Sequence, residues 1–598
     1  DVWLRAFGDL APAGPLPPGV SDEASIARIG DLCADILGGH QITGNNSRWV
    51  NFTTVRCDTW QHRNIVLLGD AAHTAHFSIG SGTKLAMEDA LALVACLHEQ
   101  SGVPAALAAD EAERRPVVAS TQRAAQASLE WFEHIGQYTG QDPPQFAFNI
   151  ITRSRRVTYD NLRLRDPEFV AGLDSWFASA QEPPAPDAQR GTGQPAGSPS
   201  ARPQPCPPMF QPGRIGRLGL PNRIIVSPMD MYSASDGVPG DFHLVHLGSK
   251  ALGGAGLVMT EMVCVSAPGR ITPGCAGLYT PQQEAAWRRI VDFVHASTAA
   301  RIGVQLGHSG RKGSTRLMWE GMDEPLAQGN WEVCGPSPLP YSPASQTPLE
   351  LTAAQMAGIT AEFTSAAQAA ARAGFDLLEL HCAHGYLLSS FLSPLANQRT
   401  DRYGGSLAGR LRYPLEVFGA IRAVWPAGRP MAVRISATDW HDGGVDADEA
   451  VEIARAFAEH GADGIDVSTG QVVSNERPAF GRSYQTPYAD RIRNEIGRKY
   501  QIAVIAVGAI SSYDDVNSII LAGRADFCAL GRAHLYDPQW TLHAAADQGY
   551  AGPAVHWPDP FAAGSRKPQT GRTDGPRPRL ELIRAGSPGT AHARWRPG

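Results

Sequence analysis

His381 and His384 stand three residues apart at the end of an apolar run, in 375–396, FDLLELHCAHGYLLSSFLSPLA. A neutral imidazole donates one hydrogen bond, and two aimed at one oxygen would stabilise negative charge developing there. FDLLEL reads as a short buried strand, and a parallel strand ending in protonatable groups is how a (β/α)8 barrel builds a site. HxxH is also a metal-ligand pattern, but no third ligand stands at a convincing spacing, so no metal is expected.

The elements that must hold these histidines follow an alternating pattern. Candidate strands are 223–227, 256–260, 302–306, 375–380, 431–435, 464–467, 502–506 and 525–530, each followed by a helical segment such as 284–295, 353–373, 447–460 or 513–521. Eight such units predict an α/β fold of the (β/α)8, or TIM, barrel type. An open doubly wound sheet is the rival. It would gather its polar groups at one switch point, whereas here they follow every strand. They are Pro228, Met229 and Asp230; Glu261; Gln305 and His308; His381 and His384; Arg434; Ser468; Gly508; and Gly531 with Arg532. Loops after the seventh and eighth strands commonly bind phosphate. Gly508 and Gly531 would let backbone N–H groups approach one, and Arg532 would add a charged fork. Gln305 and Arg434 are donors suited to the N1–C2=O edge of a flavin, where negative charge collects on reduction.

Composition bounds the rest. A chain of 598 residues with 43% hydrophobic and 19% charged residues predicts packed domains rather than disorder. Its net charge of -7 excludes a basic nucleic-acid surface, and no apolar run is long enough to span a bilayer. Nine scattered cysteines without a CxxC pair suggest neither a zinc ribbon nor an iron–sulfur cluster. A soluble cytoplasmic protein is the expectation. The Pro/Gly/Ser-rich stretch 181–208 reads as a linker between a first domain, 1–180, and a barrel domain, 209–557. Residues 558–598 form an irregular tail. The opening DVWLRAFGDL reads as interior sequence, so an upstream continuation is expected.

The ordered stretches NRIIVSPMDMYS, GVQLGHSGRK, HCAHGYLLSSFLSP, NQRTDRYGGS, VRISATDW, AVGAI and ALGRAHL, spanning about 222–535, resemble the old yellow enzyme family of FMN-dependent ene-reductases. The resemblance implies that His381 and His384 grip the carbonyl of an α,β-unsaturated substrate and that Tyr386 donates a proton to its α-carbon. It implies that Tyr232 lines the pocket, and that Pro228, Met229, Gln305, Arg434, Gly508, Gly531 and Arg532 hold FMN. The related motif usually reads SPMCMYS, and this chain has Asp230 in place of the cysteine. A carboxylate beside a flavin disfavours its reduced anion unless it is protonated or turned away. The arginine that many relatives insert into a neighbouring subunit has no match in AVHWPDPFAAG, so the sequence leaves a homo-oligomer open.

The first domain carries NIVLLGDAAHTAHFSIGSGTKLAMEDALALVACL at 64–97: a strand, a glycine-punctuated loop and a helix from about Thr83. This resembles the second FAD-contact motif of the flavoprotein aromatic hydroxylases, and HTAHFSIGSGTKLAMEDA resembles those acting on salicylyl-CoA and 2-aminobenzoyl-CoA. The resemblance implies Asp70 on the ribityl chain of FAD and Gly80, Ser81 and Gly82 in the covering loop. No strand–GxGxxG–helix unit is found, so the domain reads as a partial, α+β one.

Together the two resemblances imply a bifunctional flavoprotein using NAD(P)H. An FAD half would hydroxylate an aromatic acyl-CoA with O2, and an FMN half would reduce an enone-like product. The alternatives are a stand-alone NADPH dehydrogenase or enoate reductase with a vestigial hydroxylase remnant, and an inactive flavin-binding scaffold.

Overall fold

The computed structural model describes residues 20–47, 52–180 and 206–564. The expected linker up to 205, the opening residues and the tail beyond 564 lie outside the described residues. Those described fall into two compact units. One takes the residues up to Gly140 together with Ile150–Val157; the other takes Gln141–Asn149 and the residues from Thr158 onward.

In the second unit eight parallel strands close into a barrel. They are β1 (Ile224–Val226), β2 (Leu257–Cys264), β3 (Arg301–Gly307), β4 (Leu377–Cys382), β5 (Met431–Ser436), β6 (Gly464–Ser468), β7 (Ala503–Val507) and β8 (Phe527–Leu530). Each pairs in parallel with the next, and β8 pairs with β1. The expected α/β barrel is therefore the fold. Outward residues such as Val258, Leu378, Val433 and Ile465 are fully buried against the helices. Each such side chain contributes ~1.5–3 kcal/mol.

Helix ends written in side chains follow the sequence closely. The helix Ala353–Ala373 starts where Thr352 accepts from the Gln355 N–H and Gln355 caps Thr352 in return, and it stops at Gly374 with φ 99°. Ser512 and Asp515 do the same for Tyr513–Leu521.

Strand ends differ more. β2 runs to Cys264, past the expected Thr260, because the register shifts between Met259 and Met262 and lets the chain resume pairing beyond a bulge. β4 reaches Cys382, so His381 lies within the ladder, opposite Arg434.

One end of the barrel is plugged. The antiparallel hairpin Gly213–Ile215/Leu218–Leu220 brings Ile215 and Leu220 into a cluster with Leu257, Leu377 and Ala503, which lie at the amino-terminal ends of their strands. The carboxyl ends are left for chemistry. Helices Tyr159–Arg165 and Pro167–Ser179 belong to this unit, where the Tyr159 N–H donates to Ser518 Oγ (3.0 Å).

The first unit is mostly helical. Gly82–Glu99 lies along Val103–Glu133, and a small core gathers Trp60, Ala72, Leu85 and Val118. Of the expected strand 64–68 only Ile65–Val66 forms one, paired with Gln61–His62. Among the described residues no helix is long and apolar enough to cross a membrane.

Candidate active site

Alternation along the strands selects what faces the barrel interior. In β4 those positions are Glu379 and His381, in β5 Arg434 and Ser436, in β6 Asp466 and Ser468, and in β3 Gln305. All are buried, none more than 7% exposed. Buried polar groups must find partners, and here they find one another. Gln305 Nε2 donates to Glu379 Oε1 at 2.7 Å, and the Gln305 N–H donates to Thr260 Oγ1 within the bulged segment of β2. Arg434 Nε lies 3.3 Å from Asp466 Oδ2. Burial raises both carboxyls above their usual range, and with the Asp466 charge adding to it Glu379 reaches about 8.

The two histidines converge above this layer. The Ala383 N–H donates to His381 Nδ1 at 3.1 Å, so the ring's proton sits on Nε2. That nitrogen lies 3.3 Å from His384 Nδ1, and His384 Nε2 lies 2.7 Å from Ser468 Oγ. His384 takes φ 62°, a left-handed backbone rare for a residue with a side chain, and its N–H donates to Ser436 Oγ at 2.9 Å. Burial, helped by the Arg434 and Lys312 charges, holds both imidazoles well below their ordinary pKa. They are neutral donors at physiological pH. The Tyr386 ring stands edge-on to His381, with centroids 5.1 Å apart. Burial and the nearby Asp230 push its phenol well above 10, so it keeps its proton.

Asp230 follows β1. Its Oδ1 accepts the N–H of Met262, the residue at which β2 resumes pairing past the bulge. Burial and the neighbouring Glu261 push its carboxyl up to about 7. Glu261 is itself buried, with Oε1 3.0 Å from His243 Nε2. Tyr232, at φ 48°, joins Met262, Cys264, Ile271, Cys275 and Tyr386 in one apolar wall. Trp319 is 62% exposed with its ring 6.4 Å from that of Tyr232. Trp331 instead donates its indole N–H to the Pro268 carbonyl.

After β7, Gly508 has φ 104°, and a Cβ there would run into the Gln485 amide. No side chain fits. At Gly531 a Cβ would come no closer than 3.5 Å to Met229, so its backbone stays open to a ligand.

These features suit FMN. Arg434 is buried, ion-paired with Asp466 through an Nε that completes no hydrogen bond among the described residues, Gln305 faces the same interior two strands away, and the two glycine turns end the last two strands. Arg434 and Gln305 would face the flavin's pyrimidine edge, with Gly508, Gly531 and Arg532 at its phosphate.

Sequence reading passed over several members of this site. Lys312 is 4% exposed and donates to the carbonyls of His384 (3.2 Å) and Gln471 (3.3 Å), its ammonium 5.4 Å from the Tyr386 ring. Glu379, Asp466 and Gln485 were equally unremarked. The period-two patterns ELH, RIS and DVS carried the signal for the first two.

In the first unit Asp70 is exposed in a short 3-10 turn, Gly69–Ala71, and Gly80 is exposed at φ 63°. Ser81 and Gly82 are half-buried where the helix Gly82–Glu99 begins. The turn is held from beneath by Asp89, which accepts from the Gly69 N–H (3.1 Å) and Arg114 Nε (2.8 Å) and lies 2.7 Å from His73 Nε2.

Comparison with known proteins agrees with this division. Residues 208–549 match the NADH:flavin oxidoreductase / NADH oxidase family, and residues 14–125 match an FAD binding domain. The NADPH dehydrogenase of Listeria innocua serovar 6a is 38% identical over 343 residues, 57% of this chain and 95% of that protein. That of Geobacillus sp. (strain WCH70) is also 38% identical, over 94% of its length. Among solved structures, 2-naphthoyl-CoA reductase with 2-naphthoyl-CoA superposes with a TM-score of 0.51 at 23% identity, over 57% of this chain and 52% of that one. This last likeness shows the fold alone.

Proposed function

The chain belongs to the NADH:flavin oxidoreductase / NADH oxidase family, and we propose that its barrel is an ene-reductase acting on an enone-like substrate. The chain is an enzyme of the flavin-dependent oxidoreductase class, with FMN, FAD and a nicotinamide as its cofactors. The observation that carries the proposal is the convergence of two neutral imidazoles, 3.3 Å apart, beside a protonated tyrosine.

FMN, when bound, supplies the hydride. The protein's residues do the remainder. His381 presents its Nε2–H to the substrate carbonyl oxygen, and a donor there gains strength as that oxygen acquires enolate charge. His384 completes the grip. Tyr386 holds a proton that its environment does not release to water, and delivers it to the α-carbon. The buried layer of Gln305, Glu379, Arg434 and Asp466 keeps water from beneath the reacting ring.

We further propose that the FAD region hydroxylates an aromatic acyl-CoA, salicylyl-CoA or 2-aminobenzoyl-CoA, using O2, and that the barrel reduces the product. What supports this is the GDAAH turn and its loop in one chain with the reductase site. Covalent linkage would keep a reactive intermediate near both sites at high effective concentration. A stand-alone enoate reductase is the second reading, favoured by relatives such as the Listeria protein, whose match takes 95% of its own length but 57% of this chain.

The test is anaerobic reduction of 2-cyclohexenone by NADPH with FMN-loaded protein, then aerobic turnover of each CoA thioester with NADH and O2. Failure to bind FMN overturns the barrel assignment. Enone reduction without turnover of either thioester leaves the second reading.

A further inference from the structure

The hydrogen bonds around His384 run in one direction. The Ala383 N–H fixes the His381 proton on Nε2. That proton points at His384 Nδ1, which must then be bare, so the His384 proton is on Nε2 and is directed at Ser468 Oγ. Ser468 in turn donates to Gln485 Oε1 at 3.2 Å, an oxygen that also accepts from Thr469 Oγ1 at 2.9 Å. Ser468 and Gln485 are 3% and 5% exposed, so water does not scramble the order. The amide of Gln485 is seated where Gly508 lacks a Cβ, which ties this chain of bonds to the glycine turn after β7.

This arrangement has a consequence for substrate. A carbonyl oxygen held by both imidazoles needs a proton on His384 Nδ1, the atom left bare here. Nδ1 gains one only if Nε2 becomes an acceptor, and among the described residues the hydroxyl placed to donate to it is that of Ser468.

We propose that Ser468 is the positioning residue that sets the tautomer of His384. In the resting enzyme it accepts from Nε2 and leaves His381 as the single donor. When an oxygen ligand enters, its hydroxyl turns from Gln485 to Nε2, and His384 presents Nδ1–H beside His381 Nε2–H. The step moves one proton between the two nitrogens of one ring and reverses one hydroxyl; nothing is oxidised or reduced. The inference rests on the ene-reductase reading for the ligand it invokes, but its resting half does not.

The experiment is 15N NMR of histidine-labelled FMN holoenzyme, with His384 assigned through His384→Gln, with and without 4-nitrophenol as the oxygen ligand. The expected wild-type result is a protonated Nε2 and bare Nδ1 without ligand, reversed with it. Ser468→Ala weakens the resting bias, which the His381 proton then holds alone, and binds 4-nitrophenol about tenfold more weakly, the scale of one hydrogen bond. Ser468→Thr, which keeps the hydroxyl, restores both. Gln485→Met removes the acceptor of the Ser468 proton and shifts ligand-free His384 toward Nδ1–H. A wild-type ligand-free spectrum with Nδ1 protonated overturns the proposal, as does a Ser468→Ala spectrum matching wild type. If wild type shows the resting tautomer but binds neither enone nor 4-nitrophenol, the ene-reductase reading falls and with it the ligand-driven reversal.

Discussion

The barrel and the amino-terminal unit each bury a network of histidine, arginine and carboxylate, and they put it to opposite uses. In the first unit the network of His73, Asp89 and Arg114 supports a turn from below, while the residue expected to meet a ligand, Asp70, stands exposed above it. In the barrel the network is itself the site: Glu379, His381, Arg434 and Asp466 are all at most 6% exposed and face one interior. A closed ring of strands brings side chains from eight segments into one dry space, so they perturb one another's protonation. A loop on a helical unit fixes backbone and leaves its ligand-facing side chain in water. The difference predicts large, pH-sensitive effects in the barrel and smaller ones in the exposed loop.

The largest expected effect is in the barrel. Replacing both His381 and His384 by Ala should lower enone reduction by at least ~10²–10³-fold, the scale of losing one preorganised donor to an oxyanion. FMN absorbance should be retained. Steady-state rates beside a cofactor titration check this. A change under tenfold would mean that the imidazoles do not hold the oxygen.

Asp110 tests the buried network of the first unit. It is fully buried, with neither carboxyl oxygen hydrogen-bonded among the described residues, and burial together with Asp89 raises it to about 6. Its folded pKa lies above its unfolded value, so its protonated form favours folding below about 4. That contribution is lost as pH rises through about 6. Asp110→Asn should therefore stabilise the first unit at pH 7.5, on the order of 1–3 kcal/mol, and flatten its melting profile between pH 4 and 7. Calorimetry across that range gives the answer.

Asp230 tests whether the barrel's protonation coupling reaches the flavin. With its carboxyl at about 7, reduction should become harder as pH rises through neutrality and the carboxylate forms beside the reduced ring. In Asp230→Asn the break near pH 7 in a potential-against-pH plot should vanish. An unchanged break would assign it to another group.

The smallest effect belongs to the exposed loop. Asp70→Ala should weaken FAD binding about tenfold or less, as for one solvent-accessible hydrogen bond, with no shift in the pH profile of the barrel. Isothermal titration with FAD measures it. A loss a hundred times larger would show that the loop is enclosed when ligand is bound.

Much of the fold was legible along the chain because its cues are local. Thr352 with Gln355, Ser512 with Asp515, and Gly374 mark helix ends within four residues of themselves. The extension of β2 was not legible, since a bulge exists only relative to a partner strand, here β3. In the site, His381, His384, Gln305, Arg434, Gly508 and Gly531 were visible as polar or glycine punctuation after apolar strands. Ser468 stands out in the sequence only as a strand end, and Lys312 only as part of GVQLGHSGRK. Their significance depends on contacts across the barrel, with His384 in one case and with the carbonyls of His384 and Gln471 in the other.

By itself, the order of residues determined the eightfold alternation, the helix boundaries and the inward set of polar side chains, because periodicity and capping act within a few residues. Only the closed tertiary structure decided which of those side chains meet. It set the two imidazoles 3.3 Å apart, gave Asp230 the amide of Met262, and placed the Ser468 hydroxyl behind His384. Distances between residues 84 apart in sequence, and the dry surroundings that keep both imidazoles neutral, arise from packing around a ring.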